Sequence, residues 1–391
     1  MKHLSLAVLS LFLAGLLEHC FGIVLKEDGY HVFPGENIQD ALQEAARNST
    51  NKTVKVHAGV YRPSGRRQAL IWLNRMHNGI RLEAVGEVIL SAANPDISDP
   101  KSPSHPAVVN HVVYFGDGIS STTLFRGFRI TGAKNFVTTA NTGEMEPDTT
   151  LPKGHFFYSD GGGIKIYGRS YPVIKDTEVF DNYASPCAGG VSVERYGQRD
   201  DDNESVTLEN CVFRNNRARV MGAAVDLLPG TSTRIINCLL VGNAANMGTD
   251  YLAPEFGFPP GTNSAVLTVF NPARLLVKNC TFTGNRNGVD DRNTNSVYSY
   301  CIFWKNNLEA GLSGGKRYEM DIIGRAKVSG CFFGGAVRDP SNSISPKQNV
   351  FDAPSPDLDE LFAPRAPIYK NVGYRPVTPR SKAGQSSAAP N

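Results

Sequence analysis

The sequence predicts an all-β fold: a solenoid of three-strand coils with a short helix over its first end. Three observations predict it. The first is a recurring pattern built on a Cys-like anchor. An apolar residue precedes the anchor by three positions, an aromatic or aliphatic residue follows by two, and Asn follows by five. The copies are Ile174/Thr177/Val179/Asn182, Leu208/Cys211/Phe213/Asn216, Ile235/Cys238/Leu240/Asn243, Val277/Cys280/Phe282/Asn285, Tyr298/Cys301/Phe303/Asn306 and Val328/Cys331/Phe333, with a degenerate one at Phe125/Phe128/Ile130. Their anchors lie 21 to 49 residues apart. A fixed short core joined by spacers of variable length indicates stacked coils that differ in their loops.

The second observation is the residue before the anchor: Asp176, Asn210, Asn237, Asn279 and, in the degenerate copy, Gly127. These types tolerate the left-handed backbone that a one-residue corner requires. Apolar and polar residues alternate on both sides of the corner, which is the period of a strand. The third observation is a strand headed by small residues upstream of three copies. It reads Gly161-Gly162-Gly163-Ile164-Lys165-Ile166, Ala188-Gly189-Gly190-Val191-Ser192-Val193 and Gly222-Ala223-Ala224-Val225-Asp226-Leu227. Small residues suit a tight turn that feeds the strand. Stacking then sets Cys, Phe and Asn above their counterparts one coil away, with the Asn residues hydrogen-bonded along the stack.

In chain order, residues 1–22 read as a secretory signal: Lys2 and His3, then the apolar run Leu4 to Leu17, too short for a membrane span, with cleavage after Gly22. Acylation of Cys20 is disfavoured by Glu18 and His19 before it. Ile38, Ala41, Leu42, Ala45 and Ala46 fall at helical spacing after Pro34-Gly35 and predict a helix that covers the open edge of the first coil. Thr53 to His57 is expected as the first strand. Residues 69–90 and 111–131 supply two more coils, and 23–340 form one β-helical unit. Insertions at 134–160 and 254–263 are candidates to wall a binding face. Residues 341–375 are expected to pack on the solenoid, and 376–391, rich in Pro, Ser and Ala, to be disordered.

Three strands per coil, Asn corners and Phe-x-x-Asn elements over about residues 32–340 resemble the right-handed parallel β-helix of the pectin-lyase-like superfamily. The helix, strand and Ala58-Gly59-Val60-Tyr61 start is similar to the way many of its members begin. The resemblance implies the fold and leaves the activity open among lyases, hydrolases, isomerases and adhesins.

The formal net charge of +3, without a Lys/Arg run, gives no reason to expect a nucleic-acid partner. Five of the seven cysteines hold the anchor position, which favours a ladder of buried thiols over a disulfide scaffold. The acidic run Asp200 to Glu204 is read as an exposed turn rather than a calcium loop, and His105, His111 and His155 as surface or packing residues.

Aligning the glycine-headed strands puts Lys165, Ser192 and Asp226 at one outward position, with Tyr167, Glu194 and Leu228 two residues on. Asp290 extends the first column. Coils stack about 4.8 Å apart, so Lys165, Glu194 and Asp226 are expected in one patch, with Asp290 as a fourth catalytic candidate. A base, an acid and a cation so placed suit elimination or hydrolysis of an acidic polysaccharide. Asp290-Asp291 resembles the paired aspartates of polygalacturonases, but the Gly-His-Gly segment of that family is absent, as are the signatures of pectate lyases.

The reading is a secreted or periplasmic, monomeric β-helix that binds polysaccharide or a cell-surface glycan. It cleaves the glycan by β-elimination or glycoside hydrolysis, with cofactor and metal left open. The alternative is a non-catalytic β-helix of the surface or adhesin type.

Overall fold

Each repeat of the sequence winds once around a common apolar core. The computed structural model describes residues 23–134, 160–195, 203–245, 265–306 and 317–377. The leader 1–22, the interiors of both insertions, Asp200 to Asp202 and the tail from 378 lie outside the described residues.

The three glycine-headed strands lie within a nine-stranded parallel sheet, the glycine-headed sheet: Arg67–Leu73, Val109–Phe115, Ile164–Tyr167, Val191–Glu194, Val225–Leu227, Leu267–Val269, Val289–Asp291, Met320–Ile322 and Val337–Arg338. The strands on either side of the anchor form two further parallel ladders. These merge at the N-terminal end, because the long strand Leu124–Thr131 pairs with both Val173–Lys175 and Glu178–Phe180. Gly127, at φ 87°, makes the corner within it.

The corners are left-handed as their residue types predict: Asp176 at φ 52°, Asn210 at 55°, Asn237 at 51° and Asn279 at 53°. Tyr300, at φ 55°, takes the same corner against its type. The anchors stand one above another, since Val212, Leu239, Thr281, Ile302 and Phe332, each one residue later, are in register.

Each thiol is satisfied by backbone. Cys280 Sγ donates to the Lys278 carbonyl at 3.3 Å and to Ile235 of the previous coil at 3.4 Å. Thr177 Oγ1 makes the equivalent bond to Lys175, which explains why Thr can stand in the Cys column. All six described cysteines are free and buried.

Below the anchors runs a buried amide ladder. Asn182, Asn216, Asn243 and Asn285 each pass an Nδ2–H to the Oδ1 of the next, ending at Asn306, at 2.7–3.2 Å. Glu319, which no sequence pattern marks, receives the last amide. Beside it Phe282, Phe303 and Phe333 stack with centroids 4.8 and 5.1 Å apart.

The predicted helix is Ile38–Arg47, capped by Asn37 and buried through Ile38, Ala41, Leu42 and Ala45. Gln39 closes the edge of Arg67–Leu73, the first strand of the glycine-headed sheet, by exchanging two hydrogen bonds with Trp72, at 3.0 and 2.9 Å. Sequence reading places the first strand at Thr53. The structure adds an antiparallel hairpin, Val24–Lys26 with Gly29–Val32, whose second strand pairs in parallel with Thr53–Tyr61. Its strands are too short to show a period of two.

Past the last coil, Tyr369 and Val372 pack on Ile302 and Phe332, and Tyr374 packs on Val212 and Leu239. Asn237 and Asn279, at the corners, donate to the carbonyls of Arg375 and Asn371. Among the described residues no helix is long and apolar enough to cross a membrane.

Candidate functional site

Along the glycine-headed sheet, alternate side chains such as Ile164, Ile166, Val191, Val193, Val225 and Leu227 enter the core. Their neighbours point away from it and form the column read from the sequence. Register pairs Tyr114 with Lys165, Lys165 with Ser192, Ser192 with Asp226, Asp226 with Thr268, Thr268 with Asp290 and Asp290 with Asp321. A second outward position pairs Tyr167 with Glu194.

Three of the four candidate residues converge. Lys165 Nζ donates to Glu194 Oε2 at 2.6 Å and to Ser192 Oγ at 3.3 Å, and Asp226 stands one rung beyond Ser192. Asp290 is in the same column, two rungs past Asp226 with Thr268 between them. Its carboxylate accepts hydrogen bonds from the Tyr318 hydroxyl and, at 3.4 Å, from the Ala265 N–H. At the N-terminal end of this face Trp72, Tyr114 and Tyr167 pack into one aromatic cluster.

A strand position facing away from the core is expected to meet solvent, but this column does not. Lys165 and Asp226 are 0% exposed, Asp290 2% and Glu194 3%. Part of the cover is local. Gly161, Ala188 and Gly222 are all left-handed, at φ 79°, 52° and 62°, at the same place on successive coils. There the chain turns back over its own strand. A β-carbon on Gly222 would come within 2.6 Å of that of Asp226, and one on Gly161 within 3.0 Å of that of Ser192. Glycine at these two sites lets the turn lie directly on the column.

Those turns deliver two residues that sequence reading passed over. Asp160 and Cys187 precede Lys165 and Ser192 by five positions, as Met221 precedes Asp226. The common offset was the available signal; it was obscured because Asp160 fell at the end of an insertion and Cys187 outside the thiol ladder. Asp160 Oδ1 accepts the Cys187 N–H at 2.9 Å. One oxygen of Asp160, the Cys187 sulfur and one oxygen of Asp226 all lie within 4.8 Å of one another.

Burial governs the acidity of the group. It lifts Asp226 to about 7, against the pull of Lys165, and lifts Asp160 and the Cys187 thiol well above their usual ranges. It also lifts Asp290 to about 6, opposed by the hydrogen bond from Tyr318. Neither oxygen of Asp226 has a hydrogen-bond partner, and the neighbouring Cys187 thiol, like Lys165, draws the pKa of Asp226 down against burial. Of the histidines, His111 is a packing residue: it is buried, with Nδ1 at 2.9 Å from the Gly161 carbonyl and Nε2 at 2.8 Å from Gln68.

Residues 113–253 match the family described as a right handed beta helix region. A solved structure, the catalytic domain of a GH87 alpha-1,3-glucanase in complex with tetrasaccharides, aligns with 84% of this chain and 69% of that one at 12% identity. Its TM-score is 0.31, and at that level the likeness carries no functional weight. No curated protein matches the sequence.

Proposed function

We propose that this right-handed parallel β-helix of the pectin-lyase-like architecture is an exported glycan-acting protein. In this reading it engages a polysaccharide along its glycine-headed sheet and cleaves it with the carboxyl groups of that face. The observation that carries the reading is the polar column from Lys165 to Asp321. Winding a solenoid needs only apolar or solvated residues there, yet lysine, glutamate and aspartate are held out of water, at a cost to folding. Perturbed, desolvated groups of that kind gather where chemistry is done. Export rests on the basic start and apolar run of the leader.

Hydrolysis is the better fit of the two reactions. It needs one carboxyl protonated to give its proton to the departing glycosidic oxygen, and one ionised to attack the anomeric carbon or activate water. Asp290, lifted to about 6, suits the first role, and Asp321, one rung away in register and ion-paired to Arg338 at 3.0 Å, the second. Elimination would use Lys165 to stabilise developing negative charge, and Glu194 already neutralises it. A second reading, a binder without catalysis, is favoured by the turns that close over the column.

A panel of uronate-containing and neutral glycans separates them, with new reducing ends scoring hydrolysis and ultraviolet absorbance of the unsaturated product scoring elimination. Cleavage is expected, with Asp290→Asn and Asp321→Asn each lowering it by about a hundredfold or more. Retention on a glycan matrix without product would support the binder; neither product nor retention would overturn both readings.

A further inference from the structure

We infer that Asp160, Cys187 and Asp226 form a binding site for a thiophilic divalent cation of the zinc class. The inference goes beyond the glycan reading and does not depend on it.

The site is built by the solenoid. Asp160 and Cys187 occupy one position on adjacent coils, held together by the hydrogen bond from the Cys187 N–H to Asp160 Oδ1 at 2.9 Å. The left-handed residues that follow them fold the turns over the sheet, and Asp226 rises from the strand beneath. One donor atom from each residue falls within a 4.8 Å cluster, and the side chains are 0%, 3% and 0% exposed.

A cluster of acids proves little by itself; the unpartnered oxygens point to a ligand. Both oxygens of Asp226 and Oδ2 of Asp160 are buried without any hydrogen-bond partner. Elsewhere in this chain the buried ladders are paired rung by rung: Asn with Asn, and thiol with carbonyl. Lys165, the nearby cation, gives hydrogen bonds to Glu194 and Ser192 and none to Asp226. A divalent ion would take one oxygen from each aspartate together with the sulfur.

The donor set selects the ion. Calcium and magnesium take oxygen ligands, whereas a thiolate with two carboxylates suits zinc and its neighbours. Zinc bonds of about 2.0–2.3 Å put tetrahedral ligand atoms roughly 3.3–3.8 Å apart, so a modest contraction of the cluster closes the site. Three protein ligands leave a fourth position open, as in zinc sites that bind a water or substrate.

The test uses the full chain, stripped with a chelator and titrated with zinc alone by calorimetry, and with cobalt(II) followed by near-ultraviolet absorption. Expected are one high-affinity zinc per chain, a sulfur-to-cobalt charge-transfer band, and at least hundredfold weaker binding in Asp226→Asn. Cys187→Ser should lose the band. Melting curves of both variants without metal establish that they fold; if Cys187→Ser does not, the band of the wild-type protein and the isosteric Asp226→Asn still decide. Stripped protein that takes up no zinc and shows no band overturns the site, as does unchanged affinity in folded Asp226→Asn. Zinc binding without glycan cleavage would leave the site standing and sink the proposed function. Cleavage by protein that binds no zinc would do the reverse.

Discussion

Two polar columns run along the solenoid, and they are built on opposite terms. In the amide ladder each rung is answered. Asn243 Nδ2 donates to Phe213, Val241 and Asn285, while its Oδ1 accepts from the N–H and Nδ2 of Asn216. In the outward column of the glycine-headed sheet, Asp226 has no hydrogen-bond partner and Asp290 is charged only against the cost of desolvation. Both columns are buried, so burial does not distinguish them. Satisfaction does: a saturated network stabilises the fold it sits in, whereas an unsaturated one reduces stability and is retained for something else.

Breaking the saturated column is expected to have the largest effect. Asn243→Ala strips partners from two carbonyls and from the donors of Asn216, and should lower stability by about 3–5 kcal/mol, read from denaturant unfolding. A loss below about 1 kcal/mol would show that the ladder is not what holds the coils.

The unsaturated column should respond in the opposite sense. The pKa of Asp290 is raised from 3.8 to about 6, so the folded chain keeps a proton that the unfolded chain releases between those values. Stability therefore falls as pH climbs through that window, by about 3 kcal/mol once it is passed. Asp290→Asn should recover up to that amount above pH 6 and nothing below 3.8, while abolishing glycan cleavage. Equal stability of the two proteins at both ends of the window would remove Asp290 from the argument.

The smallest effect is expected at the thiols. Cys280→Ser keeps a donor for Lys278 and Ile235 and should cost about 1 kcal/mol, whereas Cys280→Ala, losing both bonds, should cost roughly 2. Thr177, already in this position on an earlier coil, is the natural precedent.

Much of the fold was legible because its rules are local. The offset of five from anchor to Asn, the polar residue at the corner and the small residues before Lys165 each lie within one coil. Tyr300 was missed because a tyrosine gives no hint of a left-handed corner, and Glu319 because the carboxylate that ends the amide ladder breaks its residue type. The convergence of Lys165, Glu194 and Asp226 followed from alignment of three glycine-headed strands, and so did the place of Asp290 in their column. The alignment said nothing of burial. A strand position that faces away from the core reads as solvated until the turns of Gly161 and Gly222 are found lying on it.

The sequence alone determined the coil, its corners and the order of the columns, since each depends on backbone preferences and on a repeat read within some thirty residues. Only the tertiary structure decided which side chains of different coils meet, and in what dielectric. Asp160, Cys187 and Asp226 are separated by spacers of 27 and 39 residues. They come within reach because stacking cancels the spacers, and they lose water because the turns of neighbouring coils overlap.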